Sequence, residues 1–471
     1  MVAVPLAASI ALAAYACKDD PSSQPLDASS DGSANDGSMV PLDAFSPVDG
    51  ETPEAGPGGL VTVYTLDQSK KPVPGTSVYF VEAGATTSTV VTSDATGKAT
   101  YTYQKAGSVH VPQYGGGANY FVTSVMAVSA GDVVTFTGHY KSSGTPIQGV
   151  QGSFSAAPID GGASLVYNVS FGNCTAGGTF NNAGMSYGYG LYQNCLGTDG
   201  NLNVLLYGLG AVTLEAYAYH SLMPSSDAGS QLVQNFPALD FVAAPQQTGT
   251  FTGTFPAWAQ QGQTSLFFPV DGMDLITLNL GPLGGAQTMF PFGTLQASLA
   301  PFTVIATTLS AAGPLKVYGR RVRRLATMSG FQEDYGAFLP RMTSATVDTS
   351  GATPTVSWVE ETAFTTSKTM NVQLTGPGEV DGSGGTVGWN VVFPAGKGTM
   401  SATIPALPTE LASYVSTGWA LTGLSASASP QGGYAALKLF PDEANDPAHL
   451  VRDLPLSLGI VEITQSSLST K

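Results

Sequence analysis

Gly184-Met185-Ser186-Tyr187-Gly188 fits the Gly-x-Ser-x-Gly pattern that exposes a serine nucleophile on a tight turn. That chemistry requires a strand-to-helix elbow at the edge of a parallel sheet, with a base within reach. The residues that follow, Tyr189-Gly190-Leu191-Tyr192, carry no helical pattern. In a chain with 57 glycines, about one such match arises by chance. The four histidines, His110, His139, His220 and His449, are scattered, with no His-Glu-x-x-His motif to hold a metal. Carboxylates for glycoside hydrolysis need only meet in space, which leaves Asp271, Asp274 and the Glu360-Glu361 pair. Each lies beside turn residues, where acids also serve the local backbone. Catalytic residues, metals and cofactors are therefore not assigned.

Two groups suit binding instead. Lys316, Arg320, Arg321, Arg323 and Arg324 place five of the chain's 17 basic residues within nine positions. On a strand, Arg321 and Arg323 share one face and Arg320 and Arg324 the other. Such a cluster suits anionic polysaccharide or lipid head groups, or it is the solvated charge that protects an edge strand from aggregation. Tyr187, Tyr189 and Tyr192 lie among glycines and read either as a glycan-stacking platform or as cross-strand packing.

The three cysteines divide unevenly. Cys174 and Cys195 stand 21 positions apart and are expected to form a disulfide, which stabilises by about 3 kcal/mol for a loop of that size in an exported protein. Cys17 is then left over, as an attachment site would be.

The elements that position these residues are strands. Charged residues form 11% of the 471-residue chain, against roughly 25% in ordinary soluble domains. Glycine, serine and threonine are abundant, which suits short strands joined by tight turns. The fold class expected is all-β: a string of three or four immunoglobulin-like or transthyretin-like β-sandwiches after a disordered N-terminal tether. Residues 18–57 contain one lysine and nine acids and so carry half of the net charge of −16. They have too little apolar surface to offset the entropy of ordering. Their Asp-Gly and Asn-Asp pairs lack the ligand spacing of a calcium loop. The remainder is mildly acidic and has no basic face for nucleic acid.

Residues 2–16 form an apolar run of the length of a secretory signal core and too short to span a bilayer. Ala14-Tyr15-Ala16-Cys17 resembles the lipobox of bacterial lipoproteins. That resemblance implies cleavage after Ala16, acylation of Cys17 and attachment to a membrane; Lys18 resembles the outer-membrane type. The alternative is an ordinary signal cleaved after Ala16, an incidental cysteine and a secreted protein.

From Gly59, period-two alternation marks half-buried strands, as in Leu60 to Leu66 and Thr76 to Val81. Pro72-Val73-Pro74-Gly75-Thr76-Ser77-Val78 and Thr92-Ser93-Asp94-Ala95-Thr96-Gly97 resemble the signature of the carboxypeptidase regulatory-like, or transthyretin-like, family. The resemblance covers residues 59–140 and implies a non-catalytic accessory sandwich. The β-rich middle, 141–340, has a seam near 248 that allows two sandwiches, and 341–471 reads as a fibronectin- or immunoglobulin-like sandwich. In that last part Trp358, Trp389 and Trp419 read as core, and only 406–415 looks helical. The function expected is a non-catalytic envelope lipoprotein with a structural, adhesive or ligand-presenting role. Its partners would be a membrane through the lipid and a surface polysaccharide or an envelope protein. A secreted carbohydrate-binding or carbohydrate-active protein is the alternative.

Overall fold

A computed structural model describes residues 58–67, 72–114, 119–139, 148–157, 165–171, 177–180, 186–191, 201–210, 213–223, 231–270, 273–283, 289–300, 302–311, 316–326, 330–351, 353–364, 368–380, 383–416, 418–430, 434–439, 441–443 and 462–469. Cys17, Cys174, Cys195, Tyr192, Asp271, His449 and the tether lie outside them.

The fold is all-β, and its strands group into four two-sheet sandwiches. The first holds β1 (Gly59–Asp67), β2 (Ser77–Glu82), β3 (Thr89–Thr92), β4 (Lys98–Tyr103), β5 (Gly107–Tyr114), β6 (Asn119–Val128) and β7 (Val133–His139). Alternation along β1 turns Val61 and Val63 inward against Phe80, Val109, Val125 and Phe136. In the same strand β1 pairs antiparallel with β4 and parallel with β7.

The second sandwich holds β8 (Gln148–Ser153), β9 (Val166–Phe171), β10 (Gly177–Phe180), β11 (Ser186–Leu191), β12 (Leu202–Leu209), β13 (Leu214–Leu222), β14 (Gln231–Val233) and β15 (Val242–Ala243). Its sheets, in the orders β10-β9-β12-β13-β15 and β11-β8-β14, close on Val150, Phe171, Val204, Leu206 and Phe236. Strand β12 is buried on both faces, which explains its unbroken apolar run. Leu206 faces this core, while Leu205 joins the core of the third sandwich.

The third sandwich holds β16 (Gln246–Thr252), β17 (Gln261–Val270), β18 (Met273–Leu283), β19 (Met289–Gly293), β20 (Phe302–Ser310), β21 (Lys316–Ala326) and β22 (Phe331–Asp334), around Phe251, Phe268, Phe292, Ile305 and Phe331. The fourth holds β23 (Met342–Asp348), β24 (Thr355–Glu360), β25 (Lys368–Val380), β26 (Ser383–Ala395), β27 (Ser401–Thr403), β28 (Ala420–Ala428) and β29 (Glu462–Ser469). Trp358, Met370, Val372, Trp389 and Leu424 fill its core, with Trp419 packed against them. The stretch 406–415 forms a 3-10 helix over Thr409–Tyr414.

Three of the four sandwiches are fused rather than strung. One twelve-stranded sheet runs β18-β17-β20-β21-β29-β28-β25-β26-β6-β5-β2-β3. Two seams make it continuous. Strand β29 lies antiparallel between β21 and β28, and β26 runs parallel to β6 from Thr386–Asn119 to Val392–Val125. A strap containing helix α1 (Tyr434–Leu437) crosses the second seam. Its Tyr434 hydroxyl donates to the Met126 and Val392 carbonyls, and Lys438 pairs with Asp132. Thr135 N donates to Leu439 O at 2.7 Å, and Thr137 N to Asp442 Oδ2 at 2.8 Å. Ala127, at φ 50°, is the left-handed residue that turns this stretch of β6.

His110 is sealed beside the same seam. Trp389 Nε1 donates to Ser124 Oγ at 2.8 Å, and Ser124 Oγ lies 2.7 Å from His110 Nδ1. Ser108 Oγ lies 2.8 Å from His110 Nε2. This chain suits a neutral imidazole that accepts at Nδ1 and donates at Nε2. Burial pushes its pKa from 6.5 to about 3. As pH falls through that window, the unfolded chain takes up a proton that the folded chain refuses. Folding stability is therefore lost on acidification, by at most about 1.4 kcal/mol per pH unit from this residue. Denaturant titrations between pH 7 and 4 are expected to show this slope in the wild type and a flatter one in His110→Gln.

Candidate functional site

The basic cluster lies on an interior strand. β21 is paired along its length with β20 and β29, so it is not the charged edge that the sequence allowed. Its parity is as expected. Arg321 and Arg323 face β22 of the opposing sheet, where Glu333 is 0% exposed. Arg321 Nη1 donates to Glu333 Oε1 at 2.7 Å and Arg323 Nη2 to Oε2 at 2.9 Å. Thr307 Oγ1 adds a 3.3 Å bond to Oε2. Arg321 also grips Glu462 with two bonds, from Nε at 2.8 Å and Nη2 at 3.1 Å. Burial works against the charge on Arg321, and the hydrogen bonds and charges of Glu462 and Glu333 overcome it, so its pKa is raised. Burial, aided by the charge on Glu333, pushes the Tyr335 hydroxyl up to about 12. On the other face the Arg324 guanidinium lies 4.8 Å from the centre of the Phe302 ring and Arg320 5.7 Å from that of Tyr318.

These contacts bind the two sheets of the third sandwich together. Arg321 and Arg323 are committed to internal carboxylates, so for these two neither the external polyanion nor the solvated edge holds. Glu333 and Glu462 were not legible as partners. They come from β22 and from a strand 141 positions away in the chain.

The acidic pair Glu360-Glu361 is split between interior and surface. Glu360 accepts from Trp358 Nε1 and from Phe364 N, each at 2.9 Å, and pairs with the Lys368 ammonium. Lys368 also donates to Thr399 O at 3.2 Å and sits 4.4 Å from the Phe364 ring centre. Burial lowers its pKa, and Glu360 opposes that shift. Glu361 pairs at the surface with Arg341 at 3.2 Å, so the two carboxylates do not face one substrate.

Tyr187 is turned inward. It is 4% exposed, donates to Gln234 O at 2.5 Å, and packs with Tyr189 against Phe171 at ring separations of 5.8 and 4.9 Å. Of the two readings of Tyr187, packing holds and the glycan platform does not, with Tyr189 half-buried beside it. Ser186 is exposed at the start of β11 and faces Ser153 across an antiparallel ladder, so it occupies no strand-to-helix elbow. His220 Nε2 lies 3.0 Å from Asp240 Oδ2, far along the chain from His110. His139 ends β7, and Asp274 lies in β18. Among the described residues no group of His, Cys, Asp and Glu has the arrangement of a metal site.

No family model and no curated protein matches the chain. Among solved structures, the Bacillus anthracis TIE protein is similar over 59% of this chain and 50% of its own, at 8% identity and a TM-score of 0.15. The Streptococcal ancillary pilin is similar over 59% of this chain and 98% of its own, at 7% identity and a TM-score of 0.13. Fervidolysin from Fervidobacterium pennivorans, a keratinolytic enzyme related to subtilisin, is similar over 66% of this chain and 30% of its own, at 11% identity and a TM-score of 0.11. Likenesses this remote carry nothing about function.

The buried pair gives a direct test. Glu360→Ala leaves the Lys368 charge without its partner in an apolar pocket and should cost about 3–5 kcal/mol. The double variant Glu360→Leu/Lys368→Met should recover most of that loss. Chemical denaturation of the wild type, both single variants and the double variant checks the expectation.

Proposed function

We propose that this protein is a non-catalytic component of a bacterial cell envelope, lipid-anchored through Cys17 at the outer membrane, with a structural or adhesive role. Residues 17–58 serve as an acidic tether that spaces the β body from the membrane. The observation that carries this reading is the use made of the buried charges. Glu333, Glu360, Lys368 and Lys438 each close on a partner within the fold. Glu333 and Glu360 brace the interiors of the third and fourth sandwiches and Lys438 ties the strap to the first, which supports the reading of a rigid presenting body. A disulfide between Cys174 and Cys195 would add a covalent tie within the second sandwich. The partner in this reading is a surface polysaccharide or another envelope protein.

Radiolabelled palmitate fed to the native host tests the anchor. Label should enter the wild type and follow the outer-membrane fraction, and it should be absent from Cys17→Ala. Equal labelling of both, or a soluble extracellular wild type without label, would reject the anchor and favour a secreted carbohydrate-binding protein.

A further inference from the structure

The central strands of the twelve-stranded sheet carry an unusual surface opposite the core of the fourth sandwich. Val122, Trp389 and Leu374 turn into that core from β6, β26 and β25. Their neighbours in sequence therefore lie on the other face. Register places Phe121 beside Gly388 across the parallel seam. One row further along, Asn390 stands beside Gln373, and Gln373 beside Gly423. The rows are about 6.6 Å apart and the strands about 4.8 Å.

Phe121 is 37% exposed. A Cβ on Gly388 would fall 2.4 Å from its Cδ1 and 2.7 Å from its Cε1. The ring thus lies over the glycine, in space that any larger residue would fill. The Gln373 amide lies likewise over Gly423, whose added Cβ would approach its Oε1 to 2.5 Å. Asn390 Oδ1 is buried without a hydrogen-bond partner. So are both amide atoms of neighbouring Asn371, a residue only 1% exposed. A buried polar group left unpaired costs about 1–3 kcal/mol, and these atoms are closed to solvent; what the face offers outward is the exposed Phe121 ring and the half-buried side chains of Asn390 and Gln373.

We infer that Phe121, Asn390 and Gln373 form a subsite for a neutral carbohydrate. An exposed aromatic face receives the C–H face of a pyranose, while amides at the spacing of one sugar ring exchange hydrogen bonds with its hydroxyls. These positions carry no charge, which disfavours an anionic ligand. They lie in the sheet interior, where a peptide cannot add as another strand. The inference deepens the surface-binding reading and rests on it only for the location of the ligand. Binding by purified protein is independent of the lipid anchor, so failure of either can be told apart from failure of the other.

Affinity electrophoresis of the full mature chain in native gels containing laminarin, galactomannan or dextran tests the subsite, with polygalacturonate as the acidic control. Wild type should be retarded in at least one neutral gel. Phe121→Ala and Asn390→Ala should each weaken that retardation about tenfold, a change of about 1.4 kcal/mol. Phe121→Trp should preserve it, as should the inward-facing variant Tyr187→Phe. Near-ultraviolet circular dichroism confirms folding, and if Phe121→Ala does not fold, Asn390→Ala decides. Absence of retardation in every neutral gel, retardation only by polygalacturonate, or retardation unchanged in the folded variants would overturn the subsite.

Discussion

A β-sandwich leaves the backbone donors and acceptors of its outermost strands unpaired, and each must be covered, charged or paired. Much of this architecture follows from pairing them with a neighbouring module. β26 meets β6 and β29 meets β21, so four outer strands of separate sandwiches become interior strands of one sheet. The relative orientation of the first, third and fourth sandwiches is then set by ladders of hydrogen bonds, which admit one register, and not by loose contact between surfaces. The strap around α1 adds side-chain ties across the seam where the sheet changes from antiparallel to parallel pairing.

The same economy governs charge. In a chain so poor in ionisable residues, several of the few are spent inside. Arg321 and Arg323 converge on Glu333 between two sheets, and Lys368 meets Glu360 at the passage from one sheet to the next. Each arrangement would be unstable if either partner were missing, and each is reached from a different element of the fold. Such pairs favour one packing over alternatives in which a charge would be stranded.

How much of this could be read from sequence varied with distance along the chain. Alternation within β1 and β2 needs only neighbouring residues, and the two faces of Arg320 to Arg324 follow from parity alone. The seams were not legible, because β6 and β26 lie more than 250 residues apart and no local pattern names a partner at that range. Tyr187 shows a different limit: flanking glycines contribute no apolar or polar alternation, so either face of β11 was open. Glu333 sits in the short segment Phe331–Asp334, where its neighbours gave no sign that two arginines would reach it. Phe121 could have been suspected only together with Gly388, and that pairing is a property of the seam.

The parallel pairing of β1 with β7 has a mechanical consequence. Force applied through the chain preceding Gly59 runs along the axis of β1, at right angles to many of the hydrogen bonds that hold it. Those bonds then share the load in shear, and none can be opened singly from one end as in a peeled hairpin. The first sandwich thus resists traction at its N-terminal strand.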